Sequence, residues 1–429
     1  MNSVAAARAT DPRLVLAVVS TGVLLSSLDL FIVNVAMPAM AADLGAGLTA
    51  LSWVLNLYAI VFAALLVPAG RLGDRNGNRA TFLAGLAVFV LGSALCSVAW
   101  NVESLVGFRV VQAVGCALLT PSSLALVLAA TPPERRAGAV RLWVAFGGLG
   151  AALGPVIGGL LVELDWRWVF LVNVPIGLVA LVIGVRTLPR PPAEHGPLPD
   201  LLGAGALIGA VGSSILAVVQ GPEWGWTSPG VLVAFAVAVG LGVVFAWSSA
   251  RHHSPVVDPA LLRAPNFSLA TANSLVFQVA FAGMLLSITL WAQNVWGWSA
   301  LQTGAAIAPG PLIVPFVAVA AGKLINRIGA GPVIAAGAGP LPPHRFATGT
   351  AVLSMARQLG LAVGVAILVA LLGAPTTPAA ILDAFQRAWY VTAAVAILAG
   401  LVGLGMRPTT PGPKPVDQQE PGLVPAPNP

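Results

Sequence analysis

Two charged residues stand where charge is costly. Asp29 interrupts the apolar stretch at 14–36, and Arg109 interrupts the one at 104–130. Ionisable groups inside such stretches are expensive to bury and usually serve a function. A carboxylate at position 29, placed where water is scarce, can hold or release a proton. The plainer alternative is an aspartate hydrogen-bonded to polar neighbours such as Asn34. Arg109 cannot readily deprotonate, so it can tune a nearby acid but not exchange protons itself. Its plainer alternative is an arginine whose head snorkels to the membrane edge. Arg357 is a further charge inside an apolar stretch, with a less defined role.

No other residue set competes for chemistry. The patterns HExxH, GxSxG and GxxxxGK[ST] are absent, which argues against a zinc protease, a serine hydrolase or a phosphate loop. His252 and His253 adjoin without ligand partners at metal spacing. Cys96 and Cys116 lie in apolar stretches and read as packing residues. The expectation is a protein that is not an enzyme and carries no cofactor and no metal.

The elements that must position Asp29 and Arg109 follow from composition. Hydrophobic residues make up 58% of the chain and charged residues only 8%, with a mean hydropathy of +0.91; soluble domains carry roughly 25% charge. The lipid bilayer is therefore the expected solvent. Backbone amides in hydrocarbon need partners within their own segment or a closed barrel, and the long unbroken apolar runs point to helices. These runs fall at about 14–36, 50–69, 80–99, 104–130, 139–161, 168–185, 201–219, 230–248, 267–293, 301–321, 346–373 and 388–406, each near the length of a span. The first begins after Arg8 and Arg13 and is longer than the core of a signal peptide, so it reads as a retained span.

A net charge of +6 suggests nucleic acid only until the basic residues are placed. Of the 21 lysines and arginines, all but Arg167, Arg387 and the intramembrane Arg109 and Arg357 fall in tails and loops on one side of the spans. The positive-inside rule makes that side cytoplasmic, with both termini on it. Trp100, Trp166, Trp168, Trp224, Trp226, Trp296 and Trp298 collect at the opposite ends, as an outer aromatic belt does. No nucleic-acid partner is expected.

The sequence also repeats itself. Gly70, Leu72, Arg75 and Gly77 return as Gly322, Leu324, Arg327 and Gly329 at a constant offset, a mark of transporters built from repeated halves. The predicted organisation is a cytoplasmic N-terminus (1–13), a first six-helix bundle (14–185), a linker with two extra spans (186–266), a second bundle of about four spans (267–406) and a disordered cytoplasmic tail (407–429).

Four stretches carry a family resemblance. The loop from Gly70 through Asp74, Arg75 and Gly77 to Arg79 reads as a tight turn, with Asp74 close to the start of the next helix. It resembles the signature loop of the major facilitator superfamily, departing at Asn78. Leu28 to Pro38, around Asp29 and Asn34, is similar to the first-helix motif of that superfamily's drug:proton antiporter branch with fourteen spans, the EmrB/QacA-like exporters, with Phe31 where threonine is common. Trp166 to Gly177 resembles the start of that branch's sixth helix. Gly150, Gly154, Pro155, Gly158 and Gly159 match its antiporter motif; glycines four apart share a face and allow close helix approach, which is also what an ordinary packing stripe would do. Arg109 to Gly115 resembles the fourth-helix motif, with Ala113 in place of a glycine, and Arg357 to Gly360 a late-helix motif.

The resemblance implies an all-α membrane protein of the major facilitator fold, two helical bundles plus two linker spans. It implies a multi-pass plasma-membrane exporter that takes up protons and expels small amphipathic, often cationic, compounds. In that reading Asp29 and Asn34 bind proton or substrate and Arg109 tunes the exchange. Gly150 to Gly159 shape the hinge face, and Asp74 with its loop latches the cytoplasmic side. The pattern breaks after Gly329: the apolar run from Gly331 meets Leu341-Pro342-Pro343 after about ten residues, too few to cross. The second bundle is therefore expected to lack a helix pair, which leaves two alternatives open: a transport-incompetent membrane protein, or a specific exporter of one metabolite or antibiotic.

Overall fold

A computed structural model describes residues 12–189, 198–311, 313 and 346–405, and every regular element among them is helical. The helices are α1 (Pro12–Leu44), α2 (Leu48–Asn76), α3 (Asn78–Ser97), α4 (Val102–Ala130), α5 (Arg136–Val162), α6 (Trp168–Leu171) and α7 (Asn173–Thr187). They continue with α8 (Leu201–Trp224), α9 (Pro229–Arg251), α10 (Pro259–Leu262), α11 (Pro265–Asn294), α12 (Ala300–Ile307), α13 (Phe346–Leu372) and α14 (Pro378–Leu404). Eleven spans long and apolar enough to cross a membrane are present among the described residues, α6 and α7 together forming one. They coincide with eleven of the expected runs, and α12 is the start of the remaining one. The second copy of the repeat, the break after Gly329 and the C-terminal tail lie outside the described residues.

Helix limits differ from the sequence reading in informative ways. Helix α1 runs straight through Pro38 to Leu44, because neighbouring membrane helices can tolerate a proline that would end a helix in water. The segment 70–76 is no loop: it forms the last turns of α2, and Gly77 alone links α2 to α3. Gly77 has φ +93°, a conformation costly for any residue with a side chain. Asp74 thus belongs to the last turn of α2 rather than to the start of α3. Gly77→Ala is expected to cost about 1–3 kcal/mol in thermal unfolding of the detergent-purified protein. The helical Gly107, which has open space around it, is the control; equal melting of Gly77→Ala and Gly107→Ala would remove the backbone argument.

The first bundle is α1 to α7. Helix α1 packs on α5, α4 and α7; α3 packs on α4 and α7; α2 packs on α4. The α3/α4 crossing is close because Gly85, Gly92 and Gly115 present no side chain there: a Cβ on Gly92 would lie 2.7 Å from the Cα of Gln112. In the second half α11 packs on α13 and α14. The halves meet along α2 against α13 and α5 against α12, and α8 rests on both α2 and α13 while pairing with α9. Among the described residues two large apolar clusters fill the interior, beside a small one between α8 and α9. One runs from Val15 and Leu25 to Leu66 and Leu126 toward the basic end, the other from Leu28 and Val54 to Met37 and Leu105 toward the tryptophan end.

The two arginines outside the basic side are both paired. Arg167 lies 3.0 Å from Asp43 and 3.5 Å from Asp165, and Arg387 lies 2.8 Å from Asp383. Trp166 also donates to Asp43 at 2.9 Å, tying the end of α1 to the approach to α6.

Candidate functional site

The seam between the two apolar clusters holds the buried charges. Asp29 stands near the middle of α1, about 26 Å from its start and about 23 Å from its end at about 1.5 Å per residue. Arg109 on α4 reaches it: Nη1 donates to Asp29 Oδ2 at 2.5 Å, and both side chains are 0% exposed. The same Nη1 donates to Gln112 Oε1 at 2.6 Å, and Nε donates to the Val54 carbonyl of α2 at 3.2 Å. The guanidinium lies over the Tyr58 ring, 3.8 Å from its centroid, where cation–π attraction adds to the pairing. An arginine held this way is not snorkelling.

The other carboxylate oxygen takes two more donors. Gln112 Nε2 donates to Asp29 Oδ1 at 2.8 Å and to Ser93 Oγ at 2.8 Å, while Asn173 Nδ2 donates to Oδ1 at 3.3 Å. Ser93 in turn donates to the Phe89 carbonyl. Donors from α4 and α7 therefore converge on one acid of α1. Local sequence explains how each arrives. Arg109 and Gln112 are three apart and share a helix face. Gly92 lets α4 come close enough for Gln112 to reach Ser93. Pro175 lacks an N–H and its ring crowds the carbonyl four residues earlier, so the sixth span breaks at Val172 and Asn173 opens α7.

Gln112, Ser93, Asn173 and Tyr58 were not singled out from sequence, although Gln112 and Asn173 lie inside motifs that were. Gln112→Leu, which removes contacts to Asp29, Arg109 and Ser93, is expected to cost about 2 kcal/mol, against about 0.6 kcal/mol for Asn173→Ala. Thermal unfolding of the two variants checks the order, and a larger loss at Asn173 would contradict it.

The remaining candidates are placed elsewhere. Asn34 does not touch Asp29; its Nδ2 donates to the Leu30 carbonyl at 3.0 Å. It lines a cavity of about 30 Å³ between the halves, with Leu30 and Phe31 of α1, Leu55 and Ala59 of α2, Phe281 of α11 and Leu361 of α13. That volume holds one or two waters, too little for a drug-sized molecule in the part of the space that the described residues line. Asp29 faces into the first bundle, one face of α1 away from it. Gly70 packs near Pro121 of α4, while Asp74 and Arg75 are exposed at the basic end of α2. Arg357 lies on α13 and is not among the residues bonded to Asp29.

The glycine stripe of α5 turns two faces to two partners. Gly150, Gly154 and Gly158 meet α1 at Leu24, Phe31 and Ile32, the segment that carries Asp29. Gly159 instead meets Ala300 and Leu301 of α12, where Gly304 closes on Pro155. Helix α5 is thus wedged between the acid-bearing helix and the second half.

The Asp29 side chain thus accepts from three side chains, one of them a guanidinium, and every member of the network is buried.

Known proteins fit this architecture. A profile of the Major Facilitator Superfamily matches residues 19–341. The chain is 37% identical over 321 residues to a methylenomycin A resistance protein of Bacillus subtilis, covering 74% of this chain and 68% of that protein. It is 37% identical to the tetracenomycin C resistance and export protein of Streptomyces glaucescens, over 73% of this chain and 59% of that one. It is 36% identical to the multidrug resistance protein Stp of Mycobacterium tuberculosis, over 74% and 59%. The chain thus spans only 59% of the length of the latter two curated relatives. Among solved structures, a POT peptide transporter in complex with sulfate superposes with a TM-score of 0.62 over 91% of this chain and 95% of that one, at 16% identity, a likeness of fold alone. On the profile match and these relatives, the chain belongs to the major facilitator superfamily.

Proposed function

We propose that the protein is a proton-coupled exporter of small amphipathic molecules, of the drug:proton antiporter branch with fourteen spans, resident in the plasma membrane with both termini cytoplasmic. One observation carries the reading: a fully buried acid paired with an arginine at mid-membrane, clamped by the helix that also contacts the second half. Proton uptake at Asp29 releases Arg109, and the change in α1 passes through the glycine stripe of α5 to α12, so the halves rock and the central cavity opens. Asn34 and Phe31 meet the substrate there. Asp74, Arg75 and Gly77 hold the basic end during the return. The resistance and export names of the relatives support efflux, and their mixture of single antibiotics and multidrug resistance supports either a broad or a dedicated substrate.

The test is efflux of a cationic dye from sealed vesicles containing purified protein under an imposed proton gradient. Export that follows the gradient and stops when it is collapsed is the expected result; dye movement indifferent to the gradient rejects proton coupling. A second reading, a membrane protein that binds without transporting, is favoured by the sequence break after Gly329. It predicts dye binding with no movement in the same vesicles.

A further inference from the structure

Among the described residues, the halves also meet around a second space, away from the central cavity. At the basic end, α2, α4, α5 and α13 enclose about 190 Å³, against about 30 Å³ at the centre. An apolar protein cavity of about 150 Å³ takes up benzene, so this space accommodates a substituted ring or a small bicyclic aromatic. Its walls are apolar, with Leu66, Leu124, Leu128 and the Trp143 ring. The indole N–H of Trp143 donates to Ser123 Oγ at 3.0 Å, which fixes the ring as a stacking face. The hydroxyls of Thr120 and Ser354 provide polar points within the lining. Thr120 Oγ1 already donates to the Cys116 carbonyl at 2.8 Å, which leaves it free to accept. Arg71 and Asp74 both border the space, and their opposite charges favour neither a cation nor an anion.

We propose that this cavity is a binding site for a neutral aromatic molecule of one or two rings bearing a hydrogen-bond donor, separate from the central cavity. Ser354 and Ala351 come from α13 and the other walls from the first bundle, so an occupant touches both halves at once. The site goes beyond the export reading and does not depend on it.

Ser354→Cys, purified in nanodiscs, is labelled with N-ethylmaleimide in the presence and absence of 5-bromoindole; the native Cys96 and Cys116 are buried. The probe is expected to slow labelling at position 354 by at least ~10-fold, equivalent to about 1.4 kcal/mol, and to leave labelling of a Ser299→Cys control at the tryptophan end unchanged. Filling the cavity with Ala125→Trp, or with Leu128→Trp should the first fail to fold, is expected to abolish the heat of 5-bromoindole binding in calorimetry. Unchanged labelling at saturating probe overturns the proposal, as does undiminished binding in a folded, filled variant. Protection without dye efflux would retain this site and reject only the transport reading.

Discussion

Asp29→Asn is expected to reduce gradient-driven dye efflux to the level of empty vesicles while leaving membrane insertion intact. Asparagine has nearly the same shape as aspartate and keeps one oxygen that can accept from Arg109, but it leaves the guanidinium without its counter-charge and turns an NH2 toward a donor, so the variant is expected to lose stability while still inserting. It cannot cycle between a charged and a neutral form, which is the property the export reading needs. The readout is initial efflux rate in vesicles with an imposed gradient, normalised to protein recovered. Undiminished efflux would remove Asp29 from the mechanism, whatever its burial.

Arg109→Met is expected to be the most destabilising single change in the network. It leaves Asp29 buried with its charge uncompensated, and breaking a buried pair from one side costs about 3–5 kcal/mol. Methionine keeps much of the volume and remains against Tyr58, so little of the loss is a cavity. Adding Asp29→Leu to Arg109→Met removes the orphaned charge as well, and replacing both members of a buried pair with apolar residues is often near neutral. The double variant should therefore melt above Arg109→Met, although it carries one more substitution, and should transport nothing. A double variant less stable than Arg109→Met would mean that the acid is held by its other donors without help from the arginine.

The parts of this site differ in how far they were legible from sequence. Asp29 and Arg109 stood out because a charge inside an apolar run has few innocent explanations. That they pair was not legible: they are 80 residues apart, and contact depends on the closeness of α4 to α1 and α2. Gln112 could have been found, since it lies on the Arg109 face one turn further on. Asn173 could not, because its aim depends on the helix break that Pro175 causes inside one span. Asn34 was grouped with Asp29 on nearness in sequence, yet five residues along a helix turn a side chain well away from its neighbour, and it faces the central cavity instead. The segment 70–76 was read as a loop because of its glycines and charges; in α2 those residues simply continue the helix until Gly77 permits the turn. Eleven of the twelve expected spans were the most legible feature, since length and apolarity decide them, and among the described residues only their ends moved.

The neutrality of the Asp29 and Arg109 pair has a further electrical consequence. With the acid ionised, the network carries no net charge at mid-depth, and the voltage across a living membrane exerts almost no force on it. Once a proton arrives, one uncompensated positive charge remains in that field. At half the membrane thickness such a charge is worth on the order of 1 kcal/mol per 100 mV. The proton-loaded form should thus respond to voltage and the unloaded form should be nearly deaf to it, so that polarising vesicles alters one half of the working cycle and spares the other.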